Sequence, residues 1–202
     1  MKKKIFLILV LVLLLGCGLY YFLRSNKKEN NEVKKESKVL VVYYSAQGHT
    51  DNVAKKIATN LNADIFEIKP KDEYTSDDLN YSNKNSRVSK EHDDETLRNI
   101  ELVSTSVDNW DDYDTILIGY PIWWGIAAWP VDNFVKENDF TNKTVIPFCT
   151  SASSGLGNSG KNLENMANGG TWLDGHRFSS SASEETIKEW TDSLIKENDT
   201  ND

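Results

Sequence analysis

Residues 39–44 (VLVVYY) are an unbroken apolar and aromatic run with no alternating polar positions. A strand of that kind is covered on both faces, which confines it to the interior of a parallel sheet. The same texture returns at 115–120 (TILIGY) and 144–150 (TVIPFCT), with a shorter strand expected at 64–68 (DIFEI) and a last one across 171–178. Helical spacing fills the intervals. Val53, Ala54, Ile57, Ala58 and Leu61 share one face, and Pro130 stands where a helix can start, ahead of Val131, Phe134 and Val135. Residues 159–167 carry Leu163 and Met166, and Ser183 caps a final helix with Glu184 and Glu185 in its first turn and Ile187, Trp190 and Leu194 on one stripe. Strands alternating with helices give an α/β domain, a parallel sheet with helices on both faces. Residues 69–109 are polar and weakly patterned, and one imperfect helix with excursions is expected there.

The N-terminus is of another kind. Lys2, Lys3 and Lys4 precede an apolar run over residues 5–15, then Gly16-Cys17-Gly18, the layout of a secretory signal. Leu14-Leu15-Gly16-Cys17 resembles a bacterial lipobox, which makes Cys17 the lipidated first residue of a mature lipoprotein. The apolar run resumes at residues 19–23 (LYYFL), so the whole stretch is also long enough to span a bilayer as an uncleaved anchor. Residues 1–23 are thus read as signal or membrane anchor, 24–37 as a flexible polar linker, and 38–202 as the folded domain. The basic start places that domain on the extracytoplasmic face of the cell membrane.

Charge divides along the same line. The 202 residues include 23 Lys+Arg and 31 Asp+Glu, a net charge of -8. Residues 1–37 hold 8 of the basic and 3 of the acidic groups, which leaves 15 basic against 28 acidic, a net of -13, in the domain. So acidic a body excludes nucleic acid as a partner. Two cysteines, Cys17 and Cys149, make neither a disulfide framework nor a tetrahedral metal site, and His49, His92 and His176 are too scattered for a metal cluster, so no metal is expected. Cys149, inside an apolar strand, reads as a buried thiol.

In such a sheet, ligands sit at the carboxyl ends of the strands, and three loops fall there. Ser45-Ala46-Gln47-Gly48-His49-Thr50 offers hydroxyls, an amide, a glycine and a helix N-terminus, whose N–H groups can hold a phosphate without a basic side chain. It lacks the lysine of a P-loop and has one glycine rather than the three of a dinucleotide turn. Pro121-Ile122-Trp123-Trp124-Gly125 belongs to a stretch that, through Trp129, holds three of the six tryptophans, suited to stacking on a planar ring. Residues 150–160 (TSASSGLGNSG) put five Ser or Thr and three Gly into eleven positions, a wall of donors and close backbone.

These motifs, VVYYSAQGHT, WDDYDTILIGYPIWWG and PFCTSASSGLGNS, taken in order, resemble the bacterial flavodoxin group that carries a Tyr-Pro-Ile-Trp-Trp-Gly loop. The resemblance covers residues 38–198. It implies a flavodoxin-like three-layer sandwich, with a five-stranded parallel sheet in 2-1-3-4-5 order, that binds FMN non-covalently. It further implies that Ser45, Gln47, Gly48, His49 and Thr50 hold the phosphate, that Pro121, Trp123, Trp124 and Gly125 line the isoalloxazine ring, and that Thr150, Ser151, Ser153, Ser154, Gly155 and Gly157 close the other side. The sequence departs from the group at His49, an ionisable residue beside a dianion that makes phosphate affinity pH-dependent, and in the polar stretch 69–109.

The resemblance implies electron transfer, with the flavin doing the chemistry and no catalytic residue required of the protein. The expected role is a membrane-tethered carrier that meets redox partner proteins or small electron acceptors through an acidic rim, at a low flavin potential. The alternative is an FMN-dependent NAD(P)H oxidoreductase, a quinone or metal reductase. A cofactor-free signalling module is a third reading. A phosphorylated receiver is excluded, because the third strand runs into Gly119-Tyr120-Pro121 where an aspartate is needed.

Overall fold

The structure, a computed structural model, describes residues 38–200. The expected signal or anchor, Cys17 and the polar linker lie outside the described residues. Side-chain alternation along the first strand, β1 (Lys38–Tyr43), decides the layering. Leu40 and Val42, with Tyr44 just beyond, enter the core on one side of the sheet, and Val41 and Tyr43 enter the core on the other. There follow α1 (His49–Leu61), β2 (Asp64–Glu67), α2 (Arg87–Asp93), β3 (Tyr113–Trp123), β4 (Ile126–Ala127), α3 (Pro130–Glu137), β5 (Thr144–Ser151), α4 (Ser159–Met166), β6 (Thr171–Trp172), β7 (His176–Ser179) and α5 (Glu184–Thr200). Val53, Ala54 and Ile57 of α1 and Ile187 of α5 cover one face together with Leu117, Phe148 and Phe178. Val131, Phe134 and Val135 of α3 and Leu163 of α4 cover the other against Ile116, Ile118 and Tyr120. The both-faces burial read from the strand composition is what the layers require.

The strand order is β2-β1-β3-β5-β6, every neighbour parallel, with β7 also parallel to β5. β6 and β7 are two pieces of one outer strand, so the sheet is the expected five-stranded 2-1-3-4-5 arrangement. The single last strand expected over 171–178 is broken at residues 173–175. Pro147 of β5 lies beside the break and has no N–H to offer an outer neighbour, and a β-carbon on Gly175 would stand 2.6 Å from the Pro147 carbonyl oxygen. Gly119 pairs with Phe148 across β3 and β5, and a β-carbon there would lie 2.2 Å from the Phe148 ring.

Residues 70–102 leave this frame as an excursion closed at its neck. Pro70 and Leu102 form an antiparallel bridge, Lys71 N–H donates to the Glu101 carbonyl at 2.8 Å, and Val103 N–H donates to the Lys69 carbonyl at 2.8 Å. The imperfect helix expected in this stretch is α2. Ser86 caps it, its Oγ accepting the Ser89 N–H at 3.3 Å. A 3-10 turn follows at Glu95–Arg98. Among the described residues no helix is long and apolar enough to cross a membrane.

Candidate functional site

The loop after β1 turns into α1 through Gly48, whose φ of 82° is the left-handed conformation that glycine adopts without strain. Among the described residues no side chain caps α1. Its first N–H groups therefore point from a positive helix end with no intrahelical partner. Thr50 is buried there and shares a 2.8 Å hydrogen bond with Thr150 from the end of β5. Ser45 Oγ is buried and, among the described residues, has no hydrogen-bond partner, and a buried hydroxyl left unpaired costs free energy. Asp51, in the same first turn, is turned elsewhere: its carboxylate accepts from Tyr43 Oη at 2.6 Å and from Lys55 Nζ at 2.9 Å. Burial would raise its pKa, but those two hydrogen bonds outweigh burial and hold it below the usual carboxylate range.

The second loop is shorter than its sequence suggests. Pro121, Ile122 and Trp123 belong to β3, and only Trp124 and Gly125 turn the chain into β4, at φ of 47° and 82°. Two successive positive φ values are those of a tight hairpin, for which Asn-Gly is the favoured pair. A tryptophan in that backbone region is strained by about 1 kcal/mol, and the strain is borne where the indole stands 43% exposed at the mouth of the cleft. Trp123 turns inward, edge-on to Trp129 with ring centroids 4.8 Å apart, and Trp129 is fully buried. The two adjacent tryptophans thus divide between core and rim.

In the third loop, Arg177 of β7 organises the strand end. Its Nε donates to Ser151 Oγ at 3.0 Å, and its Nη2 to the Ser151 and Ala152 carbonyls at 2.8 and 3.1 Å. Ser151 Oγ in turn donates to the Ser154 carbonyl. The tips of the second and third loops meet, since a β-carbon on Gly157 would lie 3.8 Å from the Gly125 carbonyl oxygen.

Together the three strand ends surround a cleft of about 310 Å³. Of the residues singled out by sequence, Ser45, Gln47, His49, Thr50, Pro121, Trp123, Trp124, Thr150 and Ser151 line it. Gly48, Gly125, Ser153, Ser154, Gly155 and Gly157 stand in the same loops outside that lining. Sequence reasoning passed over Ser180 beyond β7 and, more consequentially, Leu79, Tyr81 and Val88, which reach the cleft from the excursion. A tyrosine and a leucine in an otherwise polar stretch were the available signal. Among the described residues no lysine or arginine lines the cleft, so an anion there would be held by backbone N–H groups and hydroxyls, and a planar group by tryptophan.

Comparison with known proteins agrees with this fold. A candidate flavoprotein of Bacteroides uniformis superposes with a TM-score of 0.69 at 40% identity, over 76% of this chain and 97% of its own. A second, of Bacteroides eggerthii, gives 0.70 at 36% identity, over 79% and 99%. A Lactobacillus acidophilus flavoprotein, solved in complex with FMN, shares the fold at 24% identity with a TM-score of 0.55, over 77% of this chain and 99% of its own. A family model described as flavodoxin matches residues 38–194, and the chain belongs to the flavodoxin family.

Proposed function

We infer that the domain binds FMN and transfers electrons, and that its N-terminal segment tethers it to the outer face of the cell membrane. The observation that carries the cofactor is the unpartnered, buried Ser45 hydroxyl beside the uncapped N-terminus of α1, at one end of a cleft whose wall is tryptophan. That pairing of an anion seat with a planar apolar wall fits FMN, the ligand of the Lactobacillus acidophilus relative. Bound FMN supplies one- and two-electron redox chemistry. The chain's own residues bind and orient: Ser45, Thr50 and the first N–H groups of α1 take the phosphate, and Trp123 and Trp124 pack the ring and exclude water. No side chain is asked to act as nucleophile or base. The acidic surface of the domain steers basic redox partners or admits small acceptors. The tether rests on the lysine-led apolar segment and Cys17.

Full-length protein purified in mild detergent is expected to be yellow, or to become so with added FMN. It should exchange electrons with a reductant while oxidising neither NADH nor NADPH in the presence of a quinone. Turnover of NAD(P)H would replace the carrier by the oxidoreductase reading, and a colourless protein that ignores FMN would remove both. Fatty-acid labelling lost in Cys17→Ser checks the lipoprotein; retained labelling rules it out.

A further inference from the structure

The excursion over residues 70–102 is built like a wall rather than a loose loop. Beneath it, Glu91 of α2 is 4% exposed and its carboxylate accepts three hydrogen bonds, from Tyr74 Oη at 2.6 Å, Trp129 Nε1 at 2.7 Å and Arg87 Nε at 2.8 Å. The Arg87 guanidinium lies 3.9 Å over the Tyr74 ring, and Arg98 lies 5.1 Å over the Trp129 ring while donating to the Glu91 and His92 carbonyls. A buried charge so fully satisfied is a specifying contact, costly to break on one side only. Its Trp129 partner packs Trp123, and His92, one residue on, stacks on Trp124 at 4.4 Å between ring centroids. The excursion is thereby fastened to both tryptophans of the cleft.

On its other side it reaches the cleft itself. Leu79, Tyr81 and Val88 line the cavity together with Trp124, and the Tyr81 ring is 77% exposed. The third loop, which bounds the cleft elsewhere, contains no aromatic residue. The geometry points to the excursion as the second wall of the ring site: Tyr81 and Leu79 contact a bound planar ring, and Glu91 is the positioning residue that holds this wall and the tryptophans in register. The inference rests on the flavin-binding reading and adds binding residues to it.

The test uses the full chain in detergent, titrated separately with FMN and with riboflavin, which has the ring but no phosphate, and followed by flavin emission and visible absorbance. Tyr81→Ala, at an exposed position that does not threaten folding, is expected to weaken both ligands by the same factor, about fivefold or more, and to brighten the emission of the bound flavin. Glu91→Gln is expected to weaken both equally as well and to increase acrylamide quenching of tryptophan fluorescence in the ligand-free protein. Wild-type affinity and emission for both flavins in Tyr81→Ala would overturn the second wall and leave FMN binding intact. Loss of FMN alone in that variant would also overturn it, since Tyr81 would then act on the phosphate. Failure of the wild type to bind either flavin would overturn the function and the wall together.

Discussion

Thr50 Oγ1 and Thr150 Oγ1 lie 2.8 Å apart, 100 positions distant in sequence, with 1% and 2% of each residue exposed. The bond joins the start of α1 to the end of β5 across the carboxyl edge of the sheet, so the first and third loops are set relative to each other by two hydroxyls. Thr→Val keeps the shape and deletes the hydroxyl. Either single substitution leaves the other hydroxyl buried and unpaired, at a cost of about 1–3 kcal/mol. The double variant should lose less than the sum, read from urea midpoints. In Thr50→Val the loss of FMN affinity should exceed the loss for riboflavin, because Thr50 stands at the anion seat.

Gly119 and Gly48 answer a β-carbon differently. At Gly119 it would meet the Phe148 ring at 2.2 Å inside a close-packed core, and Gly119→Ala is expected to cost about 3 kcal/mol or more. At Gly48 nothing lies within 4 Å and only the left-handed backbone is penalised, so Gly48→Ala should cost about 1 kcal/mol. Chemical denaturation of the two variants ranks them; equal midpoints would contradict the packing assigned to Gly119.

Asp132 gives a pH signature. Burial pushes its carboxyl up to about 6, against the pull of Lys136 and Arg98. Its folded value is above that of an unfolded aspartate, so between about pH 4 and that raised value the folded state binds more protons and stability falls as pH rises. The penalty is complete above the raised value and absent below the unfolded one. Asp132→Asn should therefore be more stable than wild type at neutral pH, by about 1–2 kcal/mol, and no more stable at about pH 3.5. Thermal unfolding at the two pH values decides.

Cys149 is fully buried, and burial pushes its thiol up to about 12, with Arg177 pulling weakly the other way. It should stay protonated and unmodified when the native chain is treated with an alkylating reagent at neutral pH, as mapped by peptide mass, and react only after unfolding. Modification in the native state would show that β5 opens locally.

With FMN bound, the protein is expected to titrate below the potential of the free cofactor. Among the described residues the cleft lining carries aromatic rings and no lysine or arginine to stabilise an added negative charge. Spectroelectrochemical titration measures this directly, and a potential above that of free FMN would point to a cation closer to the ring than Arg177.

Much of this architecture is legible in the amino-acid sequence. The interior strands declare themselves because both faces need apolar residues, and Val41 and Val42 bury on opposite sides without any alternation in the sequence. Hidden features are those whose cause lies in a distant element. The break in the outer strand falls at Asp174-Gly175, a pair that marks turns, but the reason it is needed, Pro147, lies one strand away. β3 runs through Pro121 to Trp123 because the hairpin returns Ala128 N–H to the Pro121 carbonyl at 3.0 Å, whereas a proline read in isolation marks an end. Tyr81 and Glu91 sit in a polar stretch without a periodic face, so neither the burial of Glu91 nor the direction of Tyr81 follows from local pattern. Arg177 looks like any polar residue of an outer strand until its fork is seen on the Ser151 and Ala152 carbonyls.

The neck at Pro70 and Leu102 makes the excursion a replaceable part. Its ends are joined to each other before they reach the sheet, so residues between them can change in length and content while β2 and β3 keep their register. The side chains it grips, from Trp123 to Asn133, form one short continuous stretch of the frame. Evolution, or an engineer, can exchange that pair of segments together and give the same sheet and the same anion seat a different opening toward the ring.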